Sequence, residues 1–88
     1  MAPTGVRVVE QVVQQRNAGE LEGPLATRLA PLGPGPLELR DYRTVGDNVI
    51  AVDGERTLVF TVKRSRIEAI EVFEPGQRLP DALVTPPR

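Results

Sequence analysis

Glu71 and Tyr42 are the side chains of this 88-residue chain best suited to do chemistry. Both are expected on one face of a sheet, as polar residues among hydrophobic ones, with Arg40 near the edge of that face. A carboxyl desolvated in an apolar cavity resists ionisation and can serve as a general acid or base near neutral pH. A phenol facing it can donate a hydrogen bond to a ligand carbonyl or to a developing oxyanion. Asp41 is the alternative carboxylate for the same pairing with Tyr42. Such a set would suit an isomerase, a cyclase or an epoxide-opening hydrolase. The same residues also have a plainer reading. Tyr42 then closes the core with its hydroxyl in water, while Glu71 lies at the sheet edge or is turned outward by a one-residue bulge.

Other chemistries are limited by composition. Histidine and cysteine are both absent, so a Ser-His or Cys-His nucleophile pair, a thiolate metal site and a disulfide have no residues to build them. Asp47, Asp53, Glu55, Glu74 and Asp81 are dispersed and lack the spacing of a calcium loop. Gly33-Pro34-Gly35-Pro36 lacks the Lys-Ser/Thr and the following helix of a phosphate loop. No cofactor is therefore expected. Lys63, Arg64 and Arg66 cluster at a hairpin tip and read as a solvated turn. The 11 basic and 12 acidic residues leave a formal net charge of −1, and one Tyr, two Phe and no Trp supply little stacking surface. That balance disfavours generic nucleic-acid binding. No apolar run is long enough to span a bilayer, and no signal-peptide pattern opens the chain. A soluble cytoplasmic protein is expected.

The elements that must position these residues fall into two halves. Val6, Val9, Val12 and Val13 recur at helical spacing after Thr4, a suitable N-cap, with residues 1–5 as a disordered lead-in. Asn17-Ala18-Gly19 ends this helix, with Gly19 suited to the left-handed C′ position. Gly23-Pro24 starts a second helix, Leu21, Leu25, Leu29 and Leu32 mark one face of it, and Pro31 stops it. Residues 31–36, Pro-Leu-Gly-Pro-Gly-Pro, form a stiff connector. Beyond it the apolar period drops to 2, giving four strands at Leu37–Val45, Asn48–Asp53, Thr57–Lys63 and Arg66–Glu74. Gly46-Asp47 and Gly54-Glu55 suit type II′ turns, whereas Arg64-Ser65 is poor turn chemistry. The fold class is α+β, one domain over residues 1–78, with residues 79–88 as an irregular tail.

Two-residue loops fix the register and therefore the faces. One face is expected to carry Tyr42, Val49, Ala51, Leu58, Phe60, Val62, Ile67, Ala69, Glu71 and Phe73, and to pack on the helices. The other is expected to carry Leu39, Ile50, Val52, Val59, Ile70 and Val72 with Asp41, Arg43, Thr57, Thr61 and Glu68. A second apolar face of that size predicts a subunit interface, hence a homodimer through the sheet. The alternative cover for it is the C-terminal tail folded back. A domain this small gains from such a partner, since it lacks disulfides and metals.

Val9-Glu10-Gln11-Val12-Val13-Gln14-Gln15-Arg16-Asn17-Ala18-Gly19-Glu20-Leu21 resembles the opening helix and turn of the nuclear transport factor 2-like superfamily. Leu29-Ala30-Pro31 is similar to the end of that family's second helix. The segment from Thr57 to Phe73 resembles its last hairpin, with Arg64-Ser65 where Asp-Gly is usual. The SnoaL-like branch is the nearest in flavour. The resemblance covers both ends of the domain, and the Pro-Gly connector stands where an early strand pair and a third helix would be. It implies a reduced, cystatin-like arrangement: a curved sheet wrapped on helices, dimerisation through the sheet, and a small apolar ligand cavity. The family's catalytic aspartates and tyrosines lie in segments without counterparts here, so none is carried over. The function expected is a non-catalytic dimeric binding module for a small apolar ligand or a protein partner.

Overall fold

The computed structural model describes residues 4–84. It has helix α1 at Thr4–Asn17 and helix α2 at Gly23–Leu29, the latter running into one 3-10 turn at Ala30–Leu32. Strands β1 (Leu39–Val45), β2 (Asn48–Asp53), β3 (Arg56–Lys63) and β4 (Arg66–Phe73) follow, then a single helical turn, α3, at Asp81–Val84. The strands form one antiparallel sheet in the order β1-β2-β3-β4. The class is α+β, with α1 and α2 on one face of the sheet.

Helix α1 forms because its apolar positions make one stripe, and Val6, Val9, Val12 and Val13 are all buried. Valine has modest helix propensity, so burial holds the helix, at about 1.5 kcal/mol or more per buried side chain. Thr4, expected as the N-cap, is itself helical, as is Gly5 of the expected lead-in. Residues 1–3 lie outside the described chain. At the other end Gly19 has φ 75°. Its N–H donates to the Arg16 carbonyl at 3.0 Å and the Glu20 N–H donates to the Gln15 carbonyl at 2.8 Å. These two bonds make a Schellman cap and satisfy carbonyls that the helix leaves open.

The last turn of α1 also anchors the connector. Asn17 exchanges two hydrogen bonds with Leu37: its Nδ2 donates to the Leu37 carbonyl at 2.9 Å, and the Leu37 N–H donates to its Oδ1 at 2.8 Å. The Arg16 guanidinium donates to the carbonyls of Gly33 and Gly35. The connector is thus pinned by side chains rather than by regular structure of its own. The Arg56 guanidinium performs the same service for the 3-10 turn, donating to the Leu32 carbonyl at 2.8 Å while paired with Asp53, also at 2.8 Å.

All three hairpins have two-residue loops, with Val45 opposite Asn48, Asp53 opposite Arg56 and Lys63 opposite Arg66. Gly46 and Gly54 take φ of 60° and 63° while Asp47 and Glu55 do not go positive, the type II′ pattern. Arg64 and Ser65 both sit in the left-handed region, at φ 55° and 60°. That is a type I′ pattern without the Asn-Gly it favours, so both residues are strained.

Two bulges change which side chains share a face. In β1 the register slips between Arg40 and Arg43, so Asp41 and Tyr42 together stand opposite Ala51. In β3–β4 it slips between Thr61 and Val62, leaving Glu68 as the extra residue of β4. An extra residue inverts the alternation of everything beyond it. Ile70 and Val72, expected on the outer face, therefore sit opposite Phe60 and Leu58 and pack on the helix-side core. Leu39 joins them there for the same reason in β1. Ala69, Glu71 and Phe73, expected toward the helices, stand opposite Thr61, Val59 and Thr57 on the outer face.

That outer face has a cover. Ile50 and Val59 are buried together with Leu83, and Val45, Phe73 and Leu79 pack around them. The tail folds back, and Asp81–Val84 is helical where an irregular chain was expected; residues 85–88 lie outside the described chain. Among the described residues, no helix is long and apolar enough to cross a membrane.

A groove between the helices and the last hairpin

The sheet does not assemble the expected set of Tyr42, Glu71 and Asp41. Tyr42 is half-buried against the helix-side core. Burial raises its phenol above the ordinary tyrosine range, and the charge of Glu10 on α1 adds to the rise. Glu71 is exposed on the opposite face, across from Val59. Asp41 is exposed within the β1 bulge at φ 55°, ion-paired with Arg40 at 3.0 Å. Arg40 also donates to the Gly54 carbonyl at 3.1 Å, which aims it along the outer edge of the hairpin. A carboxylate and a phenol on opposite sides of a sheet cannot share a substrate.

The resemblance implies a small apolar cavity between helices and sheet, and four core residues there are fully enclosed. Val9, Ala51, Leu58 and Phe60 expose none of their surface, not even to an internal void large enough for water. Among the described residues no polar side chain is buried, and no group of three or more Asp and Glu gathers as it would around a metal ion.

Concave surface remains where three elements meet. Leu25 and Arg28, three apart on α2, share a helix face with Pro24 before them. Val12 of the buried valine stripe and half-buried Val8, four residues before it on α1, make a second wall. Ile67, the second residue of β4, and the strained Ser65 bring the last hairpin against both helices. These residues, with Glu22 and Arg66 at the rim, line an open groove of about 310 Å³. Its floor is hydrocarbon: Val12 and Ile67 are buried, and Val8 and Leu25 pack half-buried on the core. Its cations are Arg28, whose Nη1 donates to the Ile67 carbonyl at 3.0 Å, and Arg66, the residue before Ile67. Glu22 is the opposing charge. Arg66 belongs to the basic cluster read as a solvated turn, and Lys63, Arg64 and Arg66 are all exposed. The other two groove charges carried no signal of their own in the sequence. Arg28 stands out only through its spacing from Leu25, once β4 is known to lie beside α2.

Comparison with protein-family models, with curated proteins and with solved structures finds no match for this chain.

Proposed function

We propose that this chain is a cytoplasmic, non-catalytic binding module for a small apolar ligand, held in the groove between α1, α2 and the β3–β4 hairpin. The resemblance of its first helix and last hairpin to the nuclear transport factor 2-like superfamily, SnoaL-like branch, supports reading it as a reduced relative. The observation that carries the proposal is the groove itself: a hydrocarbon floor in which half-buried Val8 and Leu25 lie beside buried Val12 and Ile67. Its volume of about 310 Å³ falls at the lower end of the range for small-molecule sites. The isomerase, cyclase or hydrolase alternative loses support, because Glu71 and Tyr42 are on different faces and Asp41, the other carboxylate, is exposed and ion-paired with Arg40. A second copy on the sheet face would have to displace Leu79 and Leu83, so the module is proposed to act as a single chain.

Titration calorimetry with decanol, a neutral apolar probe, tests the reading. Saturable binding of one molecule per chain is expected. No binding up to the solubility limit of the probe would contradict it.

A further inference from the structure

Resting on that reading, we infer that the ligand is an apolar monocarboxylate, its chain on the hydrocarbon floor and its headgroup on Arg28 and Arg66. Arg28 and Arg66 both line the groove. The carbonyl that orients Arg28 belongs to Ile67, the residue after Arg66. That bond holds Arg28 in place before any ligand arrives, so less freedom is lost on binding. A guanidinium presents five N–H donors in a fork that matches a carboxylate. Arg28 uses one of its donors in its described hydrogen bond, and the rest are available. Among the residues that line the groove there are two cations and one carboxylate, Glu22, which leaves a net positive lining around an apolar floor. A neutral ligand would satisfy the floor alone, and a small hydrophilic anion the charged lining alone. An amphiphile with one carboxylate satisfies both.

The experiment compares decanoate with decanol by titration calorimetry, on the wild-type chain, the Arg66→Gln variant, the Arg28→Gln/Arg66→Gln double variant and Glu22→Gln. Thermal melts check that each variant is folded. Decanoate is expected to bind the wild type at least ten-fold more tightly than decanol. The readout is the ratio of decanoate to decanol affinity within each variant, which should shrink in Arg66→Gln, disappear in the double variant and grow in Glu22→Gln. Arg66 makes no described hydrogen bond, so its single variant keeps the test valid if loss of the Arg28 bond harms folding. Equal affinity of the wild type for the two probes, or a preference that survives in the double variant, would overturn the carboxylate assignment and leave the binding-module reading intact. Failure of both probes to bind would overturn both.

Discussion

At Arg64 and Ser65 the backbone carries two consecutive non-glycine residues at φ 55° and 60°. A side chain in the left-handed region costs roughly 1–2 kcal/mol per residue, which glycine avoids and asparagine partly avoids. Replacing the pair by Asn-Gly should therefore stabilise the chain by about 1–2 kcal/mol. In a urea melt the midpoint should rise with an unchanged slope, and an unchanged or lower midpoint would show that the turn is relaxed. Tyr42 makes a second residue-scale statement. Its folded pKa lies above the ordinary 10.0, through burial first and Glu10 second. Above that pH the unfolded chain releases the phenolic proton while the folded chain still holds it. The folded state binds more protons there, so stability falls as pH rises. Below pH 10 the contribution is fully present, and it is lost as the pH climbs through the folded pKa. Tyr42→Phe should thus flatten the alkaline limb of the stability profile above pH 10, measured by melts at stepped pH. An identical limb in the variant would mean the phenol is not desolvated.

At the scale of elements, much of the fold was legible and the faces were not. The two glycine turns, the end of α1 at Gly19, the start of α2 at Gly23-Pro24 and the valine stripe follow from local chemistry, and the structure has them where the sequence places them. Of the leucines expected along one helix, Leu25 and Leu29 are on α2, while Leu21 precedes it and Leu32 lies in the 3-10 turn that also takes in Pro31. The bulges at Asp41–Tyr42 and Glu68 leave no local mark, because neither holds the glycine that would advertise a bulge. One extra residue in each strand is enough to exchange Ile70 and Val72 for Ala69, Glu71 and Phe73. The expected catalytic pairing failed at that step, since it needed an unbroken period of 2 through β4. The groove was illegible for another reason: its walls come from three segments, and nothing local says that β4 ends up beside α2. Helix α1 also approaches the sheet closely. A methyl group at Gly5 would lie 2.9 Å from Cγ2 of Val49, a wholly enclosed and β-branched side chain with no freedom to turn away. Gly→Ala in a helix ordinarily gains up to ~1 kcal/mol, while overpacking costs ~1–3 kcal/mol. Gly5→Ala is therefore expected to lower the melting temperature, and a rise would mean the helix is free to slide outward.

For the whole molecule, the outer sheet face is the surface through which two copies were expected to pair, and its cover is slight. Leu79 and Leu83 lie on Ile50 and Val59, and the ion pair of Arg78 with Asp81, 3.5 Å apart, is exposed to solvent and contributes little. Removing residues 79–88 would bare an apolar face on a chain that has no disulfide to fall back on. Light scattering should find single chains for the full sequence and dimers or larger species for a chain ending at Arg78. Equal masses for the two would mean that the tail does not guard an interface. The central claim concerns the opposite side, where the helices and the last hairpin leave hydrocarbon uncovered. Its most direct test is an amide nuclear magnetic resonance titration of the full chain with decanol, which reports where the probe sits. Saturable shifts are expected at Val8, Val12, Leu25, Arg28 and Ile67, with the outer face unmoved. Shifts centred on Ile50, Val59 and Leu83, or none at all, would contradict that claim.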